Sequence, residues 1–100
     1  MPFVVQIMPS ALAELKAIKV FYRRQIAHAI NDQLTNQPQV ETRNRKVLEQ
    51  APASFEFEPP LWELRVGSFR VFYDVDEAEQ TVFIRAVREK TPHAETEDVL

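Results

Sequence analysis

The stretch Leu61-Trp-Glu-Leu-Arg-Val-Gly-Ser-Phe-Arg-Val-Phe-Tyr-Asp-Val75 constrains the fold more than any other part of the chain. Trp62, Leu64 and Val66 alternate with Glu63 and Arg65, and Phe69, Val71, Tyr73 and Val75 alternate with Arg70, Phe72 and Asp74. Alternation of this kind marks strands with one face in a core. Gly67-Ser68 between them is a two-residue turn with glycine first, the arrangement that a type II′ hairpin prefers. A two-residue loop fixes the register: Val66 opposes Phe69, Arg65 opposes Arg70, Leu64 opposes Val71 and Trp62 opposes Tyr73. Directly opposed residues share a face. Carried through a four-residue loop at Asp76–Glu79 into Thr81–Val87, the same register predicts Tyr73 opposite Val82, Val71 opposite Ile84 and Arg70 opposite Arg85. One face then holds Trp62, Leu64, Val66, Phe69, Val71, Tyr73, Val82, Ile84 and Ala86. The other holds Glu63, Arg65, Arg70, Phe72, Phe83 and Arg85, with Phe72 opposite Phe83.

The apolar face needs a cover, and the N-terminal part supplies it. Phe3, Val5 and Ile7 alternate with Val4 and Gln6 in a first strand that ends at Pro9-Ser10. From Ala11 the period lengthens. Leu12, Leu15 and Ile18 form one stripe, and Ile26, Ile30 and Leu34 another, as in a helical hairpin that breaks near Lys19–Tyr22 and stops before Pro38. Residues 37–60 are polar and rich in proline, including Pro52, Pro59 and Pro60, and read as loops around a short strand near Arg45–Leu48. The expected fold is a single α+β domain over residues 1–100. It has a small, mainly antiparallel sheet of about four strands, with the N-terminal helical hairpin packed on one face.

Composition removes several function classes. At 100 residues, a domain buries somewhat over ~60% of its unfolded surface, which allows one core between two layers and places any active site at the surface. A single glycine excludes Gly-rich phosphate loops, and the absence of cysteine excludes thiolate nucleophiles, disulfides and thiolate zinc sites. With only His28 and His93, far apart in sequence, neither a metal nor a cofactor is expected. The apolar start at Phe3–Met8 has no basic flank, and no stretch approaches the ~18 apolar residues of a membrane span, so a cytoplasmic protein without a membrane partner is expected.

The net charge of −3 argues against nucleic acid when taken as an average. Its distribution does not. Residues 1–54 hold seven basic and four acidic side chains, and residues 55–100 hold five basic and eleven acidic ones. On the second sheet face the register sets Arg65, Arg70 and Arg85 in a row across three strands, where like charges repel. A phosphate polyanion suits such a row, since guanidinium is planar, permanently charged and bidentate. Phe72 and Phe83 would offer stacking surface for unpaired bases. The alternative is an ordinary solvated face on which Glu63, Asp74 and Asp76 neutralise the arginines.

The order of elements, the basic Asn44-Arg45-Lys46-Val47-Leu48 segment and the Leu61–Tyr73 hairpin together resemble the RelE/ParE superfamily of bacterial toxin–antitoxin toxins over roughly residues 3–93. The resemblance implies a small antiparallel sheet with two helices on one side and a cognate antitoxin as partner. It implies one of two activities. RelE-type members enter the ribosome and cut mRNA, and ParE-type members inhibit DNA gyrase; a catalytically inactive relative that only binds antitoxin is a third possibility. The resemblance to the RelE type assigns Arg70 to the scissile phosphate, Arg65 and Lys90 to basic site positions, and Arg45 and Lys46 to RNA contact; the local positive charge adds Arg43, and the register adds Arg85 and Phe72 on the sheet face. Glu63 stands where the RelE type carries lysine, and the C-terminal tyrosine that often completes the site is missing. Cleavage by the RNA's own 2′-hydroxyl needs a base, an acid and charge stabilisation. Arg70 with Arg65 suits the last, and His93 and Glu63 are the candidate acid and base.

Overall fold

The computed structural model describes residues 2–49 and 53–100; Pro52, read above as loop, lies outside the described residues. The chain runs through β1 (Val4–Ile7), α1 (Pro9–Lys16), α2 (Val20–Leu34), β2 (Arg45–Leu48), β3 (Leu61–Val66), β4 (Phe69–Asp76) and β5 (Thr81–Glu89), and closes with a 3₁₀ turn at Thr96–Val99. The five strands form one sheet in the order β1-β5-β4-β3-β2. β1 is parallel to β5, and the other pairs are antiparallel. The count of about four strands is thus one short, because both the N-terminal strand and the short Arg45–Leu48 strand join the sheet, one at each edge.

Pro9 opens α1 at its first position, where proline's fixed φ suits a helix start and its missing N–H costs nothing. The helices break at Ala17–Lys19, just before the expected Lys19–Tyr22. No glycine is needed there, since Ala17 stays right-handed at φ −78°. Arg23 holds the corner by donating to the carbonyls of Lys16 (3.1 Å) and Ile18 (2.9 Å), which α1 leaves unpaired. Leu15, Ile26, Ile30 and Leu34 then pack on Trp62, Leu64, Val71, Tyr73, Val82 and Ile84. This is the apolar face the hairpin pattern requires.

The β3–β4 register is the expected one, with Val66 opposite Phe69 and Arg65 opposite Arg70. Gly67 takes a φ of +58°, the left-handed region that the first position of a type II′ turn demands. The β4–β5 register differs. Its loop is 77–80, so Asp76 pairs with Thr81 and Tyr73 with Ile84, and a β-bulge between Phe72 and Tyr73 leaves Arg85 as the extra residue. Beyond the bulge, Phe72 pairs with Ala86, Val71 with Val87 and Arg70 with Arg88. Ala86 therefore moves off the helix-covered face, and Val87 takes a place on it.

The second sheet face is not open to solvent. Phe72, Leu61 and Ala86 are buried there beneath Ala53, Phe55, Phe57, Val99 and Leu100, making a second, smaller core. Ser54 N–H donates to the Leu100 carbonyl at 2.7 Å, which ties the two covering segments together. The single core expected from length is thus replaced by two, one on each side of the sheet.

In the larger core the fully buried Tyr73 hydroxyl donates to the Pro38 carbonyl at 2.6 Å. Burial raises its pKa well above the ordinary tyrosine value, with the charge of Arg45 acting in the opposite sense. The unfolded chain ionises first, near pH 10. Stability is therefore full below about pH 10 and falls as pH rises above it, because the folded state keeps the proton that the unfolded state loses. Denaturant titrations between pH 8 and 11 should show this alkaline loss, and Tyr73→Phe should flatten it while costing about 1 kcal/mol at neutral pH.

Candidate functional site

The residues singled out by sequence separate into three groups. The first is structural. Arg45 is buried and donates to the carbonyls of Gln33 and Gln37, the latter at 2.7 Å. It ties the C-terminal end of α2 to β2 and is not available to RNA. Arg85, displaced by the bulge, donates from Nε (2.6 Å) and Nη2 (3.2 Å) to the carboxylate of buried Asp74, which also accepts the Glu58 N–H at 2.9 Å. Its guanidinium lies 5.1 Å from the Phe83 ring centroid. For Arg85 the neutralised-face alternative therefore holds. Phe72 has no exposed surface and offers no stacking platform; Phe83 faces Asp74 across the strands instead of Phe72.

The second group converges. Arg65, Arg70 and Arg88 lie directly opposite one another across β3, β4 and β5. A row of three guanidinium residues exists as the pattern suggests, with Arg88 in place of Arg85. Arg70 is buried, as Arg45 is, and donates from Nη1 to the Gly67 and Phe69 carbonyls at 2.8 and 2.9 Å, so the turn fixes its side chain behind the exposed Arg65. Burial and the charge of Arg65 lower its pKa, against the opposing charge of Glu63. Arg88 is held by Glu14 at 2.9 Å, the Ser54 hydroxyl at 3.0 Å and the Val99 carbonyl at 3.0 Å. Arg65 is exposed and leads the row into solvent. At the end of β5 the backbone N–H of Lys90 donates to the Ser68 carbonyl of the hairpin turn at 2.7 Å. Arg43 and Lys46 are exposed on the β2 side, and Asn44 accepts the Arg65 N–H at 2.7 Å.

The third group is the candidate acid and base, between which there is no hydrogen bond among the described residues. Glu63 is buried. Its carboxylate accepts a hydrogen bond from the Thr96 hydroxyl at 3.1 Å and lies 3.6 Å from Lys46 Nζ. His93 is exposed on the segment after β5, with no hydrogen bond to Glu63, Arg65 or Arg70 among the described residues. Arg65 is thus the exposed cation of the row, and Arg43 and Lys46 are exposed cations on the β2 side, Lys46 beside Glu63. Among the described residues, no group of three or more His, Asp or Glu could hold a metal ion.

Arg88 is the site residue that sequence reasoning missed. An even register through the second hairpin puts it off the arginine row, and the bulge that restores it leaves no mark such as an extra glycine. Its partner Glu14 is seventy-four residues away in the chain. That pair also fills the edge of β5 beyond the end of β1, where Glu14 accepts the Val87 N–H at 3.0 Å.

Residues 5–91 match the family model for the ParE toxin of type II toxin–antitoxin systems, parDE. The chain belongs to this family. Its fold is shared with RelE-type toxins. The complex RelBE2 from Mycobacterium tuberculosis matches with a TM-score of 0.70 at 21% identity over 90% of this chain and all of the other. The archaeal RelE–RelB complex from Pyrococcus horikoshii OT3 matches with a TM-score of 0.71 at 20% identity, over 94% and 100%. A mutant of the E. coli toxin RelE in the free state gives 0.57 at 16%, over 94% and 88%. No match was found among curated proteins. The toxin is thus a type II toxin–antitoxin toxin of the RelE/ParE superfamily. Among the described residues, no helix of the toxin is long and apolar enough to cross a membrane.

Proposed function

We propose that the toxin arrests translation by cleaving mRNA on the ribosome and is held silent by a cognate antitoxin. The observation that supports this is the Arg65–Arg70–Arg88 row. Across β3 and β4, two guanidinium groups oppose each other without a carboxylate bonded to either among the described residues, and the charge of Arg65 already lowers the pKa of Arg70. An anionic backbone relieves that repulsion, and a guanidinium fixed before the substrate arrives stabilises transition-state charge without reorganisation. Arg65 and Lys90 would engage the RNA, Arg70, buried behind Arg65, would add its charge at the phosphate of the cleaved bond, and Arg43 and Lys46 would meet the flanking nucleotides. His93 would donate or accept the proton if the segment after β5 swings it inward on the ribosome.

The state of Glu63 favours a second reading, a ParE-type inhibitor of DNA gyrase that acts by binding. A carboxylate held by Thr96 and Lys46 is poorly placed as a general base, whereas stoichiometric inhibition needs none. Pulse labelling after induction in a bacterial host separates the two. Under the first reading, incorporation of amino acids stops within minutes, and Arg65→Ala lowers mRNA cleavage about a hundredfold. Because Arg65 is exposed, this variant keeps its fold. Continued protein synthesis alongside double-strand DNA breaks would select the gyrase reading. Soluble expression with no growth phenotype would point to an inactive relative.

A further inference from the structure

The segment after β5 carries charge of one sign. Residues 91–100 contain Glu95, Glu97 and Asp98 and no lysine or arginine, in a protein whose net charge is −3. This acidic turn is seated on the sheet. The Thr96 hydroxyl donates to the buried Glu63 carboxylate at 3.1 Å, and Arg88 Nη1 donates to the Val99 and Leu100 carbonyls at 3.0 and 3.3 Å. Val99 and Leu100 pack in the smaller core with Leu61, Phe72 and Ala86. Within the turn, the Glu95 N–H donates to Asp98 at 2.8 Å and the Glu95 side chain caps the Asp98 N–H in return. The backbone that presents the exposed Glu95 and Glu97 is therefore fixed at both ends.

The register sets its distance from the cations. Glu63 pairs with Phe72, which is the next pair on the same face beyond Arg65 and Arg70. Two residues of strand span about 7 Å. Thr96, bonded to Glu63, thus brings the turn to roughly one Debye length from the arginine row, about 10 Å at 0.1 M salt. Lys46 is closer still. It pairs with Glu63, whose carboxylate lies 3.6 Å from its Nζ, and it shares a groove with Glu95 and Glu97. Glu77 and Glu79 make a useful contrast. They lie in the β4–β5 loop beyond Asp76, about 20 Å along the strand from Arg70, where salt screens them.

We infer that Glu95 and Glu97 are specificity-determining residues that oppose RNA phosphates at Lys46 and Arg65, and so hold down the affinity of the toxin for RNA that no ribosome presents. The inference rests on the RNA-cleavage reading above. Contacts between cations and phosphates supply the sequence-independent part of RNA affinity. Carboxylates fixed beside those cations subtract from it. On the ribosome the mRNA is already held, so the toxin meets it at high effective concentration and the lost affinity matters little. Free transcripts lack that advantage.

The probe is a labelled single-stranded RNA oligonucleotide of mixed sequence, titrated with the full chain and followed by fluorescence anisotropy. At about 50 mM salt, Glu95→Gln/Glu97→Gln should bind on the order of fivefold more tightly than wild type, and the difference should close by ~0.5 M salt. Glutamine keeps the capping oxygen of Glu95, so the melting temperature should match wild type. Glu97→Gln alone, which leaves the cap untouched, should show part of the gain. Glu77→Gln/Glu79→Gln changes the net charge by the same amount and should leave the affinity within about twofold. Equal affinity of the Glu95/Glu97 variant and wild type at low salt overturns the inference. An equal gain in the Glu77/Glu79 variant also overturns it, because the charge would then act through the protein as a whole. Pulse labelling tests the reading beneath it separately: continued amino-acid incorporation on induction of wild type would sink mRNA cleavage, while the affinities, measured without ribosomes, still report on the turn.

Discussion

Replacing Phe72 by alanine should cost about 3–5 kcal/mol of folding stability. The ring is fully buried between Leu61, Ala86 and Leu100 and lies 5.8 Å from the Phe55 ring, so truncation leaves a cavity that a strand-bound backbone cannot close. A domain of this size is stable by roughly 5–15 kcal/mol in total. The variant should therefore sit near its unfolding midpoint in mild urea. Equilibrium denaturation followed by tryptophan fluorescence from Trp62 measures this directly. A change within about 0.5 kcal/mol, as expected for an exposed residue, would mean that the covering segments do not pack on the sheet in solution.

Asp74→Ala should be nearly as damaging, at about 3 kcal/mol. Removing one partner of a buried ion pair leaves the other charge without compensation. Asp74 is 1% exposed, and its loss strands Arg85, held at 2.6 and 3.2 Å, together with the Glu58 N–H at 2.9 Å. The double variant Asp74→Ala/Arg85→Ala should recover part of this cost, because it removes both charges. Calorimetry on the two single variants and the double one supplies the cycle. Additive losses would show that the pair carries no coupling and that Arg85 is free for another role.

The two substitutions show how face assignment, more than strand assignment, limited what could be read from the chain. Alternation identified β3 and β4 and the Gly67-Ser68 turn, and from these the opposition of Arg65 and Arg70 follows without further information. The same alternation placed Phe72 and Arg85 on a solvent face. Period two tells which residues share a side of the sheet, but not whether that side is covered. The cover comes from Phe55, Phe57, Val99 and Leu100, short apolar pieces in loops and at the C-terminal end with no periodicity to announce them.

Sequence by itself determined the elements, the topology class and the part of the arginine row held by β3 and β4, because these depend on local patterning and on a turn of fixed length. With no cysteine it also left no thiolate for chemistry. Only the tertiary structure decided which cations are free. A bulge of one residue exchanges Arg88 for Arg85 in the row, Asp74 takes up Arg85, Arg45 is used to close α2 onto β2, and Glu63 is held by Thr96. Glu14 and Thr96 lie far in the chain from Arg88 and Glu63, while Asp74 and Gln37 reach Arg85 and Arg45 from the neighbouring strand and from just after α2. Such contacts are set by how the layers meet in space, which no local pattern encodes.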